Sequence, residues 1–238
     1  MAALAAMVLI AFRPAQAETV DLELVLAADG SGSIDEAEFK LQRAGYARAI
    51  SHPLVLGAIK GGEHQKIAVA FIEWGAPTSV ETIVGWMVIN DKRSASAFAA
   101  RLVKAPRKVF GYNSISAAIA YATEMIQSNR FQGKRKIIDV SGDGPQINGP
   151  PLALVRAKTL AAGITINGLA IKTRSGNYRG PFGAPLEVHY GRDVIGGPGA
   201  FVMVADEKTS FAEVVLRKLV REVASAGARR PLRPLEIR

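Results

Sequence analysis

The chain has 238 residues, 49% of them hydrophobic, with 30 Lys and Arg against 21 Asp and Glu and no cysteine. That is enough apolar material for one sizeable core, and the lack of cysteine excludes disulfides, thiol catalysis and thiolate zinc sites. A net charge of +9 suits acidic proteins, anionic lipid or polyanions as partners. The basic residues are scattered and have no aromatic-interleaved motif, which argues against nucleic acid.

Residues 1–11 are almost wholly apolar, and Ala15-Gln16-Ala17 has the small-x-small pattern that signal peptidase reads. The run is shorter than the about 20 residues that span a bilayer. Residues 1–17 are therefore read as a signal peptide cleaved near Ala17, although no Lys or Arg precedes the apolar run. A buried N-terminal helix is the alternative. No other window is long and apolar enough for a membrane span. The mature chain, from Glu18, is expected to be exported, periplasmic or extracellular, with no transmembrane segment.

Residues 20–28 are expected as the first strand, leading into Asp29-Gly30-Ser31-Gly32-Ser33. One carboxylate and two hydroxyls alternate there with glycines, whose freedom lets the three side chains turn towards one point. Three hard oxygen donors suit a small hard cation, Mg²⁺ first. A helix then runs from Asp35 through Phe39, Leu41 and Tyr46 to Ile50, with acids in its first turn opposing the helix dipole, and stops near His52-Pro53.

Residues 66–74 form a second strand that is apolar on both faces, which requires cover on both sides. Residues 78–89 follow after a connection too short for a parallel crossover, so they pair antiparallel at an edge. Residues 94–103 read as a helix, 106–111 as a basic loop, and 115–126 as a helix capped by Ser114 or Asn113. Residues 136–141 make a fourth strand ending at Gly142-Asp143-Gly144-Pro145. A helix over 151–162 stops at Gly163, and a fifth strand covers 164–171. Residues 172–199 are irregular, with one short helix around Arg192. A sixth strand (201–205), a last helix (211–224) and a basic, disordered tail (226–238) complete the chain.

Strands alternate with helices apart from one antiparallel insertion. This is the pattern of an α/β, doubly wound, mostly parallel open sheet in the order 3-2-1-4-5-6 with one antiparallel edge strand, as a single domain over 18–225. In that order the first and fourth strands are neighbours, so Asp29 and Asp143 are expected to converge at the switch point.

Taken together, these residues resemble a von Willebrand factor type A domain with a metal-ion-dependent adhesion site, over nearly all of residues 20–224. A narrower similarity, carried by residues 140–145 and by Glu73-Trp74, is to a branch of small exported bacterial proteins of unassigned activity. In the type A family a first loop Asp-x-Ser-x-Ser matches Asp29, Ser31 and Ser33, and an Asp-Gly pair matches Asp143-Gly144. A second loop with Gly-x-Thr matches Gly111-Tyr112-Asn113, with asparagine in place of threonine. Asn113 is the preferred ligand there, with Ser114 or a water as alternatives.

The resemblance implies Mg²⁺, with Mn²⁺ or Ca²⁺ also suited, and a protein partner whose acidic side chain completes the ion's shell. At fold level it also implies coupling of occupancy to a shift of the last helix. A metal-dependent hydrolase or phosphatase using the same carboxylates is an alternative, as is a scaffold with a degenerate metal site. No Gly-x-Ser-x-Gly elbow, phosphate loop or histidine partner for a serine is evident, so the expectation is binding rather than turnover.

Among other residues, Asp139 is expected to pair with a basic neighbour and Trp86 to pack on the sheet. Glu73 and Trp74 are expected on the metal rim against a partner, or Trp74 in the core. His52, His64 and His189 are expected at the surface or in loops, and residues 178–190 as a specificity loop near the rim or as disorder.

Overall fold

A computed structural model describes residues 17–172, 179–206 and 210–224. The expected signal segment, save Ala17, and the basic tail lie outside those residues. Six strands make one sheet in the order β3-β2-β1-β4-β5-β6, with β1 at Glu18–Asp29, β2 at Ile67–Trp74, β3 at Val80–Ile89, β4 at Phe131–Gly142, β5 at Thr165–Ile171 and β6 at Val202–Ala205. Every pairing is parallel except β2 with β3, so the fold expected from the alternation of elements is the fold observed.

The period-2 geometry of β1 divides the core. Leu22, Leu24 and Leu26 point into one apolar layer, with Tyr46 of α1 (Glu36–Ile50), Val55 of α2 (Pro53–Lys60), Phe98 of α3 (Lys92–Lys104) and Leu219 of α7 (Phe211–Val223). Val25 and Ala27 point into the other, with Ile119 of α4 (Ile115–Gln127), Ile138 of β4, and Leu186 of the short α6 (Leu186–His189). α5 (Leu152–Ala161) packs beside α4. Both faces are covered, which is why Leu24–Ala28 of β1 and Ile67–Ile72 of β2 are unbroken apolar runs.

Caps fix the element starts. Asp35 accepts from the N–H groups of Ala37 and Glu38, and Glu38 reaches back to the Asp35 N–H, a reciprocal capping box. His52-Pro53 ends α1 as expected but also begins α2. Pro53 occupies the first turn, where its missing N–H costs nothing, and His52 Nδ1 accepts from Leu54 N–H at 3.2 Å. β4 starts at Phe131, five residues before the expected strand, because its charged first half still pairs with Glu18, Thr19, Val20 and Leu22 of β1. Trp86 packs on the sheet against Phe131, ring centroids 6.0 Å apart. No helix among the described residues is long and apolar enough to cross a membrane.

Candidate metal centre

Ala28 and Ser141 are register partners on adjacent parallel strands, so Asp29 at the end of β1 and Asp143 just beyond β4 emerge side by side. The tight loop after β1 folds back on its own carboxylate, with Ser31 N–H donating to Asp29 Oδ1 at 2.8 Å. Ser31 Oγ lies 3.0 Å from Ser33 Oγ, and Ser33 Oγ donates to Asp143 Oδ1 at 2.9 Å. Asp29, Ser31, Ser33 and Asp143 are thus linked in one hydrogen-bonded chain drawn from two loops.

Three further oxygens are buried without a hydrogen-bond partner: Asp29 Oδ2, Asp143 Oδ2 and the Tyr190 hydroxyl. An unsatisfied buried polar group costs about 1–3 kcal/mol. Two of the three close on one point beside Gly142. A Cβ there would stand 2.7 Å from the Tyr190 hydroxyl, 2.9 Å from Asp29 Oδ2 and 2.9 Å from Trp74 Cζ2.

Burial, and next the charge of Asp143, push the Asp29 carboxyl up to about 7. Burial likewise raises Asp143, and burial together with the two nearby carboxylates raises the Tyr190 phenol. Two carboxylates that resist ionising together, with free lone pairs between hydroxyls, are the donor set that a small hard cation satisfies. The residues present fit such an ion. Among the described residues no group of three or more His, Cys, Asp or Glu is placed to hold a metal ion, so the carboxylates this site offers are Asp29 and Asp143.

The loops at this edge are laced to one another. Gly32 N–H donates to Gly111 O, Ala76 N–H to Phe110 O, Ser114 N–H to Gly75 O and Ile147 N–H to Asn113 O. Arg107 Nη2 donates to the carbonyls of Gly30, Ser31 and Ile34 at 3.1, 2.9 and 2.8 Å. Asn113 is buried, with its amide packed on Gly144 next to Asp143. Ser114, the other second-loop alternative, is committed elsewhere. Its hydroxyl caps α4 and donates to Asn148 O at 2.6 Å.

Two expectations are corrected here, those for Glu73 and His189, and for Trp74 one of the two readings holds. Glu73 is not an exposed rim carboxylate, since it is buried in a two-pronged ion pair with Arg43 at 2.7 and 2.9 Å. Trp74 takes the core alternative, donating its indole N–H to Ala27 O at 3.0 Å beneath the site. His189 is buried rather than superficial, because its Nε2 accepts from Gln146 N–H at 3.3 Å and its Nδ1 meets Asp193 Oδ2 at 2.7 Å. The described part of the 178–190 segment therefore packs against the Asp143 loop. His52 and His64 do sit in loops. Asp139 pairs with Lys218, 2.6 Å away. Sequence reasoning missed Arg107 and Tyr190, since a lone arginine in a basic loop and a tyrosine in an irregular stretch carry no local pattern.

A family model described as "Protein of unknown function (DUF1194)" matches residues 19–227. No curated protein matches the sequence. Among solved structures, proximal thread matrix protein 1 from the mussel byssus superposes with a TM-score of 0.61 at 13% identity, over 88% of this chain and 49% of that one. A second structure of it, described as having a zinc-occupied MIDAS motif, scores 0.55 at 11% identity over 86% and 45%. The pilus adhesin SpaC from Lactobacillus rhamnosus GG scores 0.59 at 13% identity over 86% and 30%. The vWF domain of the type V pili tip protein Mfa5 from Porphyromonas gingivalis scores 0.58 at 9% identity over 87% and 96%. The chain thus spans about half of the mussel protein and under a third of the adhesin. At these identities the likeness establishes the von Willebrand factor type A fold.

Proposed function

Since the chain belongs to the family described as protein of unknown function (DUF1194), its role has to be read from its site, and we propose that it is an exported, cation-dependent protein-binding module of type A fold. The observation that carries this is the buried Asp29–Asp143 pair with one free oxygen on each carboxylate, joined through Ser31 and Ser33. Asp29, Ser31, Ser33 and Asp143, with Asn113 from the second loop, would hold Mg²⁺, or Mn²⁺ or Ca²⁺ in its place. With few charged ligands the bound ion supplies an electron-poor centre that a partner's Asp or Glu can complete. The chain's own part is to hold the donors in place, through the Arg107 clasp and the loop-to-loop bonds, before a partner arrives. The positive net charge steers acidic partners towards it. Binding rather than turnover fits a site in which, among the described residues, neither Ser31 nor Ser33 is hydrogen-bonded to a histidine. The likeness to a byssus matrix protein, a pilus adhesin and a pilus tip domain supports work outside the cell.

The test is thermal unfolding of the chain from Glu18 in EDTA and in millimolar Mg²⁺ or Mn²⁺. At a hundred times its dissociation constant an ion stabilises the fold by about 2.7 kcal/mol. The expected result is an upward shift that Asp29→Ala and Asp143→Ala both abolish. An unshifted wild type at saturating cation counts against the reading and favours a degenerate scaffold. Steady phosphoester turnover lost in Asp143→Asn would favour a hydrolase.

A further inference from the structure

We propose that Tyr190 is a positioning residue of this cation site, its phenol hydroxyl serving as the hydrogen-bond donor to the free oxygen of Asp29. The inference rests on the reading above that the Asp29–Asp143 pair takes a divalent cation.

Tyr190 belongs to none of the loops that carry the expected ligands. It opens a π-helical turn, Tyr190–Val194, directly after α6, and such wide turns are frequent at functional sites. The turn is tied to the Asp143 loop through the Gln146–His189 bond and is braced from within by His189 and Asp193. Two glycines clear the path of the ring. A Cβ on Gly168 in β5 would come within 3.0 Å of Tyr190 Cδ1, and one on Gly142 in β4 within 2.7 Å of the hydroxyl. The side chain is fully buried, its hydroxyl has no partner, and it borders the same space beside Gly142 as Asp29 Oδ2, without a hydrogen bond between the two in the metal-free protein. A phenylalanine would fill the same space without stranding a polar atom, so packing does not account for the hydroxyl. A second buried atom in want of a partner lies on Asp29, whose other oxygen already accepts from Ser31. Asp29 Oδ2 has two lone pairs, so with a cation holding both aspartates ionised it can face the ion on one and accept from the Tyr190 hydroxyl on the other, which fixes the carboxylate's orientation. Outer partners of this kind are worth about 10- to 100-fold in metal affinity.

Tyr190→Phe removes the hydroxyl alone. Mn²⁺ binding, followed by electron paramagnetic resonance of the free ion, is compared between this variant and wild type, together with the unfolding temperature of each in EDTA. The expected result is a dissociation constant raised about tenfold or more, with a metal-free unfolding temperature equal to wild type or above it. Equal affinities in a wild type that binds Mn²⁺ overturn the role of Tyr190 and leave the cation site standing. A lowered metal-free unfolding temperature with unchanged affinity overturns it too, in favour of packing. If the wild type binds neither Mn²⁺ nor Mg²⁺, the site reading fails and this inference falls with it.

Discussion

Asp29 is a carboxyl whose surroundings in the metal-free protein favour its proton. Burial and the neighbouring Asp143 lift it to about 7, against about 4 in an unfolded chain. The folded state therefore holds this proton more tightly than the unfolded state does. The contribution of Asp29 to stability is present at low pH and is lost as pH rises from about 4 to about 7. In EDTA the urea midpoint is expected to be lower at pH 7.5 than at pH 5, with a smaller difference in Asp29→Asn. Glu222, also raised to about 7, and Asp143, raised by burial, act in the same direction, so the variant reports the share of the Asp29–Asp143 pair that depends on Asp29. A cation at the proposed site would compete with protons for this pair, so its affinity is expected to rise through the same interval. The alternation of Asp29, Ser31 and Ser33 with glycines was legible in the sequence, because convergence there needs only a tight turn. The Arg107 clasp and the Tyr190 hydroxyl were not, since each acts across more than seventy residues of chain or from another strand's connection.

At the scale of elements, α7 is fastened to the sheet by a buried charge cluster. Lys218 is ion-paired with Asp139 of β4 at 2.6 Å and donates to Glu222 one turn on. Asn167 of β5 donates to the same Glu222 oxygen at 2.9 Å. Burial pulls the Lys218 ammonium down, but the two carboxylates outweigh it and raise it. Lys218→Met would leave both carboxylates buried without their cation, a loss of about 3–5 kcal/mol. Urea denaturation should report that loss and find it larger at pH 8 than at pH 5, where the stranded carboxyls can take up protons. Asp139 inside a strand pointed to some basic partner, while the choice of Lys218, 79 residues on, required the fold. Element existence was largely readable from hydrophobic period. The start of β4 was not, because its opening residues pair along β1 through backbone bonds that tolerate any side chain. α2 was hidden by a proline that ends one helix and begins the next.

Across the molecule, parallel strands deliver the ends of β1, β2 and β4 to one edge, and the loops there are bonded to one another. A bound cation should order them as a unit. Hydrogen exchange is expected to slow together in residues 29–35, 107–114 and 143–150 when Mg²⁺ is added, with α2 and β3 unchanged. Protection confined to one loop would count against a shared centre.

The Arg135 guanidinium grips the last carbonyls of α7, Nη1 to Glu222 O at 2.7 Å and Nη2 to Val223 O at 2.9 Å, close to where β1 begins beside Phe131. Both ends of the domain therefore leave from the pole opposite Asp29 and Asp143. A tether at either end, whether a support, a fusion or a surface, would hold the domain like a lamp on a stalk, with the Asp29–Asp143 edge turned outward.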